Sequence, residues 1–78
     1  MMTQNEMILN HLKMFGSITP ITALEEYGCM RLASRIAELR DYGRKEGFEI
    51  ETTMIKRTNR FGEPVSFAEY KLVEGDKA

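Results

Sequence analysis

Tryptophan is missing from these 78 residues, and cysteine and histidine occur once each, as Cys29 and His11. A single thiol closes no intrachain disulfide, and one histidine with one cysteine falls short of a zinc ligand set. The same scarcity leaves no Ser-His-Asp arrangement, and neither GxGxxG nor a phosphate-binding P-loop occurs. Runs free of polar residues stop at three or four, whereas a bilayer takes roughly 20, so no membrane span is expected. The opening MMTQNEM has no basic stretch followed by a long apolar one, so no signal peptide is expected and the location reads as cytoplasmic. Net charge is −1 with a pI near 5.8, so the overall basic excess of a nucleic-acid binder is also lacking. These absences predict a protein that is not an enzyme, with no catalytic residues, no metal and no cofactor.

What remains, 42% hydrophobic and 29% charged residues, is the composition of one small globular domain. It is expected over residues 1–73, with 74–78 as a frayed polar tail. A chain this short buries about 60–65% of its unfolded surface, enough for a core but not for a deep substrate cavity as well. Charge is unevenly placed. Residues 1–30 sum to −2 and 61–78 to −2, while 31–60 hold eight of the eleven cations and sum to +3.

Local signals give the order of elements. Thr3 with Glu6 three residues on is a capping box, ahead of Met7, Ile8, His11, Leu12 and Phe15 at helical spacing. Gly16 and Ser17 stop that helix, and Ile18 stands alone before Thr19-Pro20, an N-cap with proline at the first helical position. A short helix then carries Ile21, Ala23 and Leu24 to Tyr27-Gly28-Cys29, where glycine turns the chain. A third helix is predicted from Met30 to Tyr42, with Leu32, Ile36 and Leu39 on one face and Arg31, Ser34, Glu38 and Asp41 opposite; Gly43 is expected to end it. Beyond it the period changes to two: Phe48, Ile50, Thr52 and Met54 alternate with Glu49, Glu51, Thr53 and Ile55. Turn residues in Arg57 to Pro64 precede a second extended run through Val65, Phe67, Tyr70 and Leu72.

The predicted class is α+β, mainly α: three helices followed by a two-stranded β-hairpin wing, the order of a winged helix-turn-helix. In that geometry the second helix of the motif lies in the DNA major groove and reads base edges from its first turns. Met30, Arg31, Ser34, Arg35 and Glu38 are therefore the candidate readers. An arginine fork satisfies guanine O6 and N7 or grips a phosphate, while Glu38 either accepts from cytosine N4 or pairs with Arg31 or Arg35. Lys56, Arg57, Asn59 and Arg60 near the hairpin tip are the candidate contacts to flanking phosphates or an adjacent minor groove. The same tip cations also suit protection of an exposed strand edge. His11 is expected to be packed or half-exposed, Cys29 to be a small buried turn residue, and Met30 and Met54, where exposed, to make an adaptable apolar surface.

The segment SITPITALEEYGCMRLASRIAELRDYG, with FAEYKL after it, resembles the short winged helix-turn-helix proteins of bacteriophages and prophages. The elements that carry the resemblance are Gly16–Thr19, Ala23-Leu24, Gly28, Arg31–Ile36 and Leu39–Gly43; Arg44-Lys45-Glu46 departs from the pattern as an insertion expected to lengthen a loop. The resemblance implies a small double-stranded DNA-binding protein of the bacterial host cytoplasm, a transcriptional regulator or a recombination or excision accessory factor. A module of this size contacts few base pairs, so a homodimer or adjacent copies on DNA are expected. The alternative is a protein-binding module on the same scaffold, such as a phage inhibitor of a host nuclease or defence complex, to which the acidic ends would suit a basic host protein partner.

Overall fold

The structure, a computed structural model, describes residues 1–74. Thr3 caps α1 (Gln4–Phe15) as its spacing from Glu6 requires: the Glu6 amide donates to Thr3 Oγ1 at 3.1 Å and the Thr3 amide to Glu6 Oε1 at 2.8 Å. Gly16, at φ +89°, closes the helix by donating to the Leu12 carbonyl. The next two residues, Ser17 and Ile18, form β1 (Ser17–Ile18) before Thr19 caps α2 (Pro20–Tyr27). After Gly28, again left-handed, α3 runs over Leu32–Glu46, followed by β2 (Phe48–Thr58) and β3 (Pro64–Glu74).

Two expectations about the architecture are corrected. The sheet has three antiparallel strands in the order β1-β3-β2, in place of a two-stranded hairpin, with Ser17 paired to Lys71 and Ile18 to Tyr70. A two-residue strand shows no alternation, so Ile18 reads in sequence as an isolated apolar residue; what recruits it is the Leu72 amide, which donates to the Gly16 carbonyl at 2.9 Å. The chain is also about half helical, the helices holding 12, 8 and 15 residues against eleven-residue strands in the hairpin.

Both ends of α3 differ from expectation as well. Met30 precedes the helix and Arg31 is its N-cap. At the other end Gly43 is buried inside the helix, because β2 folds back so closely that a Cβ there would lie 2.5 Å from the Phe48 carbonyl oxygen and 2.8 Å from its ring. Gly47, at φ +93°, is the residue that ends α3, so Arg44, Lys45 and Glu46 form its last turn, where cations favour the helix dipole, and lengthen no loop.

One core serves all these elements. Ile8, Leu12, Ile18, Ala23, Cys29, Leu32, Ile36, Leu39, Phe48, Ile50 and Tyr70 are buried together. Each wholly enclosed isoleucine, such as Ile8 or Ile36, contributes about 1.5–3 kcal/mol. The hairpin outruns this core. Along β2 only Phe48 and Ile50 are buried; Thr52 and Met54, which continue the same face, are exposed. The radius of gyration, 13.5 Å, exceeds the about 11.5 Å of a compact chain of this length. Glu74, at the start of the expected tail, pairs with Phe48; residues 75–78 of that tail lie outside the described residues.

Hydrogen-bond parity fixes how the hairpin is held. Because the Leu72 amide points to Gly16, the Ile50–Leu72 pair is of the non-hydrogen-bonded kind, and the Ile50 carbonyl faces outward from the sheet edge. Arg40 of α3 fills that vacancy: Nε and Nη2 donate to the Ile50 carbonyl at 2.9 and 2.8 Å, Nη2 also reaches Thr52 Oγ1 at 2.7 Å, and the guanidinium lies 6.0 Å from the Tyr70 ring centre. The Arg40 fork thus ties α3 to the base of the hairpin.

Candidate functional site

The turn from α2 to α3 is fixed from inside. Thr19 accepts from the Thr22 amide to start α2, Gly28 donates to Leu24, and the Cys29 amide donates to the Ala23 carbonyl while the Cys29 side chain is buried, as expected of a small turn residue. Met30 is consequently pushed outward, 82% exposed. Arg31 follows at φ −127° and ψ 56°; its side chain makes no capping bond and α3 has no acid in its first turn. The positive end of the α3 dipole is therefore not neutralised by its own sequence.

With Leu32, Ile36, Leu39 and Gly43 buried, the opposite face of α3 is set by 100° per residue. Ala33, Ala37 and Asp41 form an exposed row at four-residue spacing, with Ser34 half-buried beside it. Ala33 and Ala37 are absent from the set of candidates that sequence reasoning picks out. The signal was available in an alanine pair of Ala-x-x-x-Ala spacing on the polar face: short side chains let a helix approach a groove closely, and alanine makes apolar contact with the thymine methyl.

The charged candidates divide. Arg35 is half-buried and bonded to Glu38, its Nη1 3.4 Å from Glu38 Oε1, and Glu38 also accepts from Asn5 Nδ2 of α1 at 2.7 Å. Arg35 and Glu38 are thus brought together with the start of α1. Arg44 pairs with Asp41 on the last turns of α3. Arg31 is exposed at the start of the helix.

At the hairpin, Lys56 and Arg57 belong to β2, opposite Ser66 and Val65, and their side chains leave opposite faces of the ribbon. Both are exposed, as is Arg60 in the turn. Asn59 is placed differently. Its Oδ1 accepts from the amides of Phe61 and Glu63 at 2.9 and 3.0 Å, its Nδ2 donates to Glu63 Oε1 at 3.2 Å, and its backbone amide donates to the Glu63 carbonyl. The Asn59 side chain organises the turn, and Gly62 at φ +81° completes it. Phe61 stands at the tip, 83% exposed.

Two further features complete the surface. An apolar groove of about 440 Å³ lies between α2, the α2–α3 turn and β3, lined among others by Ile21, Leu24, Met30 and Phe67. His11 is buried, bonded through Nδ1 to the Tyr27 hydroxyl at 2.7 Å and packed at a 45° tilt with its ring centre 4.6 Å from that of Phe15, which is the packed histidine the sequence suggests. Among the described residues no group of three or more His, Cys, Asp or Glu side chains is placed to hold a metal ion, and no helix is long and apolar enough to cross a membrane.

A family model described as a winged helix-turn-helix domain covers residues 3–75. No curated protein and no solved structure matches the chain.

Proposed function

Because the chain belongs to the winged helix-turn-helix domain family, whose members generally bind DNA, we propose that it is a double-stranded DNA-binding protein acting by binding and not by turnover. In this reading α3 enters the major groove along Ala33 and Ala37, with Met30, Arg31, Ser34, Arg35 and Glu38 at or beside the base edges, and the hairpin is the wing. Lys56, Arg57 and Arg60 hold phosphates, and Asn59 holds the turn that carries them. The observation that carries the proposal is the pairing of an exposed, small-residue face on the second helix of the motif with a basic ribbon that outruns the core. The likeness to phage and prophage proteins supports a role as a transcriptional regulator or a recombination or excision accessory factor, with adjacent copies sharing one DNA site. The expected compartment is the bacterial cytoplasm.

The test is fluorescence anisotropy of a labelled random-sequence duplex of about 25 base pairs, titrated from low to physiological salt. Phosphate contacts from Arg31, Lys56, Arg57 and Arg60 would give a slope of log affinity against log salt of about −3.6. The apolar groove at Ile21, Leu24, Met30 and Phe67 favours a second reading, a protein-binding module on the same scaffold. Absence of duplex binding at low salt would sink the first reading and leave the second.

A further inference from the structure

The wing tip is built to present one aromatic ring. From Thr52 to Thr58, β2 runs about 20 Å without a buried residue, and the tip beyond it adds nothing to the buried core. Even so, the turn is tightly organised. Phe61's own amide is bonded to Asn59 Oδ1, the Glu63 amide to the same oxygen, and the Gly62 amide to the Asn59 carbonyl at 3.0 Å. The backbone under Phe61 is therefore fixed while its ring is left in water. Exposed cations precede it in the chain: Arg60 adjoins it, and Lys56 and Arg57 lie on the strand leading to it. Glu63, the nearest acid in sequence, has its carboxylate engaged by Asn59 Nδ2.

An apolar side chain on a braced turn, at the end of a narrow ribbon that carries cations, matches one ligand chemistry, a stacked array of aromatic bases inside a phosphate frame. Apolar wedges of this type enter base steps from the minor groove and kink the duplex by roughly 20–90°. Resting on the DNA-binding reading above, we infer that Phe61 is a wedge that inserts between base pairs in the minor groove flanking the α3 site, unstacking one step and bending the DNA, while Arg60, Arg57 and Lys56 grip the phosphates on either side. Flexible pyrimidine–purine steps, TA above all, are the preferred point of entry because they unstack most easily. The wing thereby reads deformability at a position where α3 makes no contact.

The experiment uses the full chain and a duplex of about 25 base pairs of alternating dA and dT, with 2-aminopurine replacing alternate adenines and a donor–acceptor dye pair on the ends. Wild-type protein should raise 2-aminopurine fluorescence, which reports unstacking, and raise energy transfer between the ends. Phe61→Ala should melt at the wild-type temperature, bind about tenfold more weakly with the same salt slope, and lose both signals; Phe61→Trp should restore them. Wild-type binding with neither signal, or Phe61→Ala giving both signals in full, overturns the wedge and leaves DNA binding intact. Loss of self-association in Phe61→Ala with both DNA signals unchanged also overturns it, assigning the ring to a contact between copies. No duplex binding by wild type at low salt overturns the DNA-binding reading itself.

Discussion

Gly43 is the position at which a single methyl group tests how α3 meets the hairpin. In an exposed helix interior, replacing glycine by alanine stabilises by about 1 kcal/mol. Here the added Cβ would lie 2.5 Å from the Phe48 carbonyl oxygen and 2.8–2.9 Å from two ring carbons. The oxygen belongs to backbone that begins β2, so relief requires the strand to move and cannot come from a rotamer change alone. Overpacking of this kind costs about 1–3 kcal/mol, and the upper part of that range applies because backbone is the obstacle. The net expectation is destabilisation by about 1–2 kcal/mol, which in a domain of this size lowers Tm by roughly 4–16 °C. Circular dichroism melts and urea titrations should show a lower midpoint with an unchanged m value. A second glycine supplies the control. Gly47 faces open space at φ +93°, so its constraint is dihedral, and Gly47→Asn should be milder than Gly47→Ala because asparagine visits the left-handed region. At Gly43 the order reverses, Asn being worse than Ala, because volume is what the site rejects. A Gly43→Ala protein as stable as wild type or more so would refute the reasoning.

Four other outcomes follow from particular contacts. Arg40→Ala should cost about 2 kcal/mol in urea unfolding, because the Ile50 carbonyl loses charge-assisted donors, and Arg40→Lys should recover less than half of it, lacking the planar fork. Thr3→Ala should cost about 1 kcal/mol by removing the α1 cap, with Thr3→Ser near neutral. Asn59→Ala should speed amide hydrogen exchange at Phe61 and Glu63 while leaving exchange in α1 and α3 unchanged; equal protection at the tip would mean that the turn does not depend on this side chain. Arg31→Ala and Arg35→Ala should each weaken duplex binding without loss of fold, with the salt slope falling by about 0.9 for each phosphate contact removed. Unchanged affinity in both would take these arginines out of the interface.

The starts of α1 and α2 and the turn between α2 and α3 were legible because their causes are local. Thr3 with Glu6, Thr19 with Pro20, and Gly28 each satisfy backbone groups within a few residues of themselves. What escaped depends on partners distant in sequence. Gly43 looks like a terminator until Phe48 is known to press on it, and Gly47, four residues on, carries the left-handed conformation instead. Ile18 becomes part of a strand only through residues 70 to 72. The alternation of β2 continues past Ile50 through Thr52 and Met54, yet their burial stops where the packed body ends, which no periodicity announces. For the candidate site, the pairing of Arg35 with Glu38 was readable from their helical spacing, but Asn59 turned out to be bonded within its own turn, and the outward row of α3 proved to be Ala33 and Ala37, residues that carry no charge to attract notice.

The pairing of Ser17 and Ile18 with Lys71 and Tyr70 also sets an order of events on the ribosome. Helices form in about a microsecond, but at 5–20 residues per second the segment from β1 to its partner takes roughly 3–10 s to synthesise. Until residues 70 to 72 are made, a nascent chain that already holds α1, α2 and α3 has no strand to pair with Ser17 and Ile18 and leaves the seat of Tyr70 uncovered. The sheet closes from its last-made strand, so a chain stopped before Tyr70 lacks the strand that pairs with β1 and leaves apolar surface open to chaperones and proteases. Loss of a few residues from β3 is therefore a more severe lesion than loss of the same number from the tip of the wing.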